Sequence, residues 1–152
     1  MQFAFLDKIV DCVPGKSATG IATFKGDEEF FQDHVIGGSA VVPAAVLLEM
    51  MGGVAGVSVK TGVDDPNRQY LLMGKIKSAT FHRGIRPKES CTIKADVVTL
   101  TDEYAVHAIT VDVGGEKVAE ATILYFLTGP PRSRIDALVE SWKAGRDAKQ
   151  IG

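Results

Sequence analysis

The stretch EEFFQDHVIGGSAVVPAAVLLEMMGGVAG, residues 28–56, sets a histidine, His34, and a carboxylate, Glu49, on either side of a loop rich in glycine and closed by Pro43. A carboxylic acid in an otherwise apolar run is costly to ionise, so the proton affinity of Glu49 is expected to rise toward neutrality and make it a proton donor. An imidazole exchanges protons near pH 7. An acid and a base tuned apart in this way suit removal of a proton beside a carbonyl group with loss of a leaving group. A helix beginning at Pro43 and Ala44 adds backbone amides that its own turns leave unpaired, and these can hold a thioester carbonyl oxygen. Plainer readings stand beside this one. A lone histidine in a loop is commonly solvated or structural, and a lone glutamate on a buried helix commonly caps backbone or lies at a subunit contact.

The elements that must position these residues are legible in the chain. With 152 residues, 45% of them apolar and 24% charged, one domain with a sizeable core is expected. The net charge of −2 shows no bias toward nucleic acid. Cys12 and Cys91 are too few for a disulfide framework and have no metal-type neighbours, which fits a reducing, cytoplasmic setting. The N-terminal MQFAFLDKIVD carries charges inside its apolar pattern and does not read as a signal peptide. The longest apolar run is short for a bilayer span and is interrupted by Glu49. Strand, turn and strand are expected over residues 3–24 around Pro14 to Lys16, then a polar loop or single helical turn. Residues 41–62 read as a helix with Pro43 in its first turn and apolar residues all round, which predicts burial on most sides. Strands follow over 70–81, 90–101, 105–113 and 117–127, with Gly114–Gly115 as a hairpin turn. A short amphipathic helix is expected after Pro131, capped by Ser133 and Asp136, with Ile135, Leu138, Val139 and Trp142 on one face. One long helix with about six mostly antiparallel strands implies an α+β fold, a sheet wrapped on a helix.

The segment around His34 and Glu49 resembles the active-site pattern FF-x-G-H-F-P-G-x-P-x-M-P-G-V-L-x-x-E-A of the β-hydroxyacyl-acyl-carrier-protein dehydratases. FLDKIVDCVPGKSATGIATF, LMGKIKSATFHRGIRPKES and KVAEATILYFL are similar to that family's opening strands, a middle strand and its last strand, so the resemblance covers roughly residues 3–127 in order. It implies the hotdog fold, an antiparallel sheet around a long central helix, with a domain over residues 1–127 and a C-terminal extension over 128–152. It implies His34 and Glu49 as catalytic base and acid from opposite subunits of a homodimer, which the family often extends to a trimer of dimers. It implies substrate contacts at Ala44, through its backbone amide, and at Gly38. No metal or redox cofactor is expected, since the phosphopantetheine arm belongs to the acyl carrier protein. That acidic partner is expected to dock on Arg83, Arg86 and Lys88, with Arg132 and Arg134 forming a second basic cluster. The implied activity is dehydration of a 3-hydroxyacyl thioester to the trans-2-enoyl thioester in fatty-acid or related lipid biosynthesis. The alternatives are a hotdog acyl-thioesterase and a non-catalytic acyl-binding subunit. The chain departs from the pattern in one additional residue between His34 and Glu49, in Val35 and Ile36 after the histidine, in Asp33 before it, and in Gly53 where the family has a glutamine.

Overall fold

The structure, a computed structural model, describes residues 6–129 together with Ala144. The C-terminal helix expected after Pro131, with Arg132 and Arg134, lies outside the described residues. The first two strands are β1 (Lys8–Val13) and β2 (Ser17–Thr23), followed by a four-residue helix α1 (Phe30–Asp33). A small hairpin comes next, β3 (Val35–Ile36) and β4 (Ser39–Ala40), and then the long helix α2 (Ala44–Gly62). The remaining strands are β5 (Tyr70–Phe81), β6 (Ser90–Leu100), β7 (Tyr104–Val113) and β8 (Glu116–Thr128).

Six of these strands form one antiparallel sheet in the order β1-β2-β6-β7-β8-β5. The strand before α2 and the strand after it therefore lie toward opposite ends of the sheet, and the sheet curls around the helix between them. Alternation in β7 and β8 sends Ala105, His107, Ile109 and Val111, and Ala119, Ala121, Ile123 and Tyr125, to the buried face. Leu47, Met50, Met51, Val54 and Ala55 of α2 pack on that face with Ile93, Ile109, Ile123 and Tyr125. Each such side chain contributes about 1.5–3 kcal/mol by leaving water.

Helix α2 starts at Pro43, which is extended and lacks an amide hydrogen, and stops where the Val63 N–H donates to the Val59 carbonyl. Its end is locked by close approach. Gly15 N–H donates to the Ser58 carbonyl at 2.8 Å, and a side chain on Gly62 would meet the Gly15 nitrogen at 2.2 Å. By length and composition alone this helix could cross a membrane, yet eight of its residues are buried within the domain. The expectation that it is covered on most sides needs correction. Its sheet-facing side is buried, while Ala44, Ala45, Glu49 and Lys60 are exposed. One sheet covers only one side of a helix, and the rest of the apolar surface has no cover within the described residues.

Candidate functional site

Chemistry at His34 begins with three aromatic rings. Phe24, at the end of the β2 segment, meets Phe30 and Phe31 edge-on at 6.1 Å each, and Phe30 and Phe31 lie 4.7 Å apart. The Glu28 carboxylate accepts from the amides of Lys25 and Gly26 at 2.8 Å and pins the approach to α1. His34 caps the C-terminus of that short helix, its N–H donating to the Phe30 carbonyl at 3.0 Å. Its own carbonyl accepts from Val41 N–H at 3.1 Å across the β3–β4 hairpin. Backbone bonds on both sides therefore fix the histidine, while its ring makes no hydrogen bond among the described residues and is half-buried.

The hairpin turns on Gly37 and Gly38, whose φ values of 59° and 80° suit glycine and disfavour any residue with a Cβ. The residue by which this chain exceeds the family spacing lies in the segment that folds as this hairpin, upstream of Pro43. Gly38 is thus a turn residue at an exposed tip and does not line the cavity, so the expected substrate contact there is not found in this subunit.

Downstream, the entry to α2 is stitched to the loop after β5. Val42 N–H donates to the carbonyl of the fully buried Ile85 at 2.8 Å, and Gly84 passes so close to Val41 that a Cβ would sit 2.5 Å from its side chain. These contacts enclose a cavity of about 390 Å³ lined by His34, Val42, Ala44, Leu47, Phe81 and Arg86, among others. Ala44 is the first residue of α2, and no side chain caps that end. Its N–H is therefore a donor left unspent by the helix, and Ala44 and His34 line the same cavity.

Glu49 is not brought there. It is exposed on α2, lines no part of the cavity and makes no hydrogen bond among the described residues. The apolar enclosure expected around it is not supplied by its own subunit, because α2 turns this face away from the sheet. Of the basic residues, Arg83 is spent internally. It pairs with Glu89 at 3.0 Å and Glu116 at 3.3 Å and donates to the Gly84 carbonyl, and the bonds it donates to Glu89 hold it more firmly protonated than an ordinary arginine. Arg86 lines the cavity, is exposed and makes no side-chain hydrogen bond or ion pair among the described residues. Lys88 is exposed beside it with φ at 69°.

Three polar side chains that sequence reasoning passed over lie under α2. Ser58 and His107 are fully buried, and Tyr125 is 2% exposed. Ser58 Oγ donates to the Ala55 carbonyl at 2.7 Å, so the 3.0 Å contact to His107 is a bond from Nε2–H to Oγ. That leaves His107 Nδ1 and the Tyr125 hydroxyl buried without partners. Their signal was present: each occupies an inward slot of an alternating strand that otherwise holds apolar residues.

The family model for the FabA-like domain matches residues 1–122. The 3-hydroxyacyl-acyl-carrier-protein dehydratase FabZ of Latilactobacillus sakei is 29% identical over 122 residues, 80% of this chain and 86% of that protein. The FabZ of Clostridium acetobutylicum is 25% identical over 122 residues, 80% of this chain and 85% of its own. Among solved structures, a Streptococcus mutans protein bound to acetyl-CoA superposes with a TM-score of 0.66 at 15% identity, covering 85% of this chain and 93% of that one. A hypothetical thioesterase from Streptococcus pneumoniae with coenzyme A superposes with a TM-score of 0.61 at 15% identity, covering 80% and 85%. At such identities the structural likeness establishes the fold alone, and that fold is the hotdog arrangement.

Proposed function

The chain belongs to the FabA-like domain family, and on that premise we propose that it dehydrates a 3-hydroxyacyl thioester carried on acyl carrier protein to the trans-2-enoyl thioester, a step of fatty-acid or related lipid biosynthesis. The observation that carries this reading is that His34 and Ala44, whose amide the helix leaves unpaired, line one cavity. In this scheme the thioester carbonyl accepts from Ala44 N–H and His34 takes the C2 proton. As that C–H bond breaks, the amide stabilises charge building on the carbonyl oxygen. The C3–O bond then breaks, the double bond forms between C2 and C3, and Glu49 gives the departing hydroxyl the proton that makes it water.

Glu49 serves in this scheme from a second copy of the chain. Two features support that pairing. Strand β5 is an end strand bonded only to β8 and exposes Leu72, Met73 and Ile76, and α2 leaves the Glu49 side uncovered. A second copy along β5 would close both. The hairpin also bears on the reading of a non-catalytic subunit: the additional residue falls within residues 35–42, ahead of the helix start at Pro43 and Ala44, which is intact. Purified protein incubated with 3-hydroxyacyl and saturated acyl thioesters tests the proposal. Enoyl product is expected. Free thiol instead means a thioesterase, and no turnover means a binding subunit. His34→Ala and Glu49→Gln are each expected to lower kcat by about two to four orders of magnitude. Near-normal activity in either folded variant removes that residue from the mechanism.

A further inference from the structure

Tyr125 sits where an unpaired hydroxyl is hardest to explain by packing. Its ring fills the core between the sheet and α2, stacked edge-on against His107 with centroids 5.6 Å apart. Phenylalanine would fill the same space without burying an unbonded polar atom, and buried polar groups in folded proteins are seldom left so. The hydroxyl points at the helix beside Gly52, where a Cβ would lie 3.7 Å from the Tyr125 oxygen. Gly52 is three residues after Glu49, so the two positions are stacked on one face of α2, about 5–6 Å apart at the Cβ level. Because Gly52 has no side chain, nothing of its own blocks the path from the hydroxyl to the Glu49 carboxyl. Glu49 itself has no hydrogen-bond partner among the described residues. The glutamine that the dehydratase pattern carries one turn after the acid is Gly53 here, so the helix supplies no amide of its own to hold the carboxyl.

We propose that Tyr125 is the positioning residue for Glu49: its hydroxyl donates a hydrogen bond across Gly52 to one carboxyl oxygen and leaves the other directed at the substrate's departing hydroxyl. The inference rests on Glu49 being the acid of the dehydration. The Glu49 charge on α2 acts on the Tyr125 hydroxyl, His107 of β7 lies against the Tyr125 ring, and Asp96 of β6 acts on His107 in turn. Burial first and the Glu49 charge second push the phenol above its ordinary range, so it remains a donor at every working pH.

Tyr125→Phe removes only the oxygen and keeps the ring. Its melting temperature is expected to stay close to that of the wild type, since the ring and its packing remain. A hydrogen bond to the ionised carboxylate favours the charged form, so the Glu49 pKa, read by carbon NMR of labelled glutamate, is expected to rise in the variant. Its kcat is expected to fall about tenfold to a hundredfold with KM unchanged, less than loss of the acid itself. The alkaline limb of the kcat profile moves up in pH with the Glu49 titration. Added to Glu49→Gln, the change is expected to cost little more. An unmoved Glu49 titration overturns the proposal, and this is also what a hydroxyl turned to His107 Nδ1 would give. Wild-type protein that lacks dehydration activity overturns the reading of Glu49 as the acid, and the NMR titration still decides whether the bond exists.

Discussion

Burying an imidazole makes protonation expensive, and His107 shows how far. Burial drives its pKa from 6.5 to about 4, against a weaker upward pull from Asp96. The folded chain therefore refuses a proton that the unfolded chain accepts. The stability this histidine contributes is complete above pH 6.5, declines as pH falls from there, and is lost near pH 4, a total on the order of 3 kcal/mol. Urea unfolding between pH 4 and pH 7 is expected to show that slope in the wild type and a flatter one in His107→Gln. An equal slope in both would assign the acid sensitivity to carboxylates instead. Cys91 responds to burial in the opposite direction, its thiol pushed up to about 11, which keeps it neutral and unreactive in the fold. At this scale the sequence was legible where the residues lie close along the chain: His34 and Ala44, singled out together, line one cavity. It marked His107 and Tyr125 only as polar residues in inward strand slots and was silent on their setting, because the one bond there, His107 to Ser58, spans 49 residues of chain and no local pattern encodes such a pairing.

Among elements, strands and the long helix follow from alternation and from helix-forming residues between Pro43 and Gly62, and their observed limits lie within a few residues of those expected. The β3–β4 hairpin was not expected, since two residues per strand are too few to alternate. Only the Gly37–Gly38 pair marks it, and that pair also reads as simple loop. Which strand ends a sheet was equally hidden, because strand order depends on long-range pairing. Ile76 is 42% exposed and lies in register with Ile123 of β8. Replacing Ile76 with Asp leaves the subunit's own core intact and puts a charge into the surface a second copy would cover. Sedimentation is expected to show a dimer for the wild type and a shift to monomer for Ile76→Asp, with kcat lost in step as Glu49 and His34 separate. A monomeric wild type, or a monomeric variant with full activity, would contradict a site shared between copies.

For the molecule as a whole, a net charge of −2 conceals an uneven distribution. Composition averages over the surface, so the total could not say whether a basic patch exists, and even the local cluster HRGIRPK could not say which of its charges are free. The fold separates them. Arg83 is neutralised by Glu89 and Glu116 and shapes the loop, whereas Arg86 stands exposed at the cavity with Lys88 close in sequence. We therefore expect Arg86, rather than Arg83, to carry most of the attraction for an acidic carrier, with Lys88 adding to the same field. An exposed charge of this kind acts on encounter more than on chemistry and is screened by salt over about 10 Å at 0.1 M. Reversing it in Arg86→Glu is expected to raise KM for the carrier-linked substrate by about tenfold and to flatten its dependence on salt. The same variant should turn over a small N-acetylcysteamine thioester at nearly the wild-type rate, because that substrate has no acidic protein attached. Steady-state kinetics on both substrates across a salt series makes the comparison. Equal loss on the two would place Arg86 in the cavity's own function, holding the substrate arm rather than the carrier.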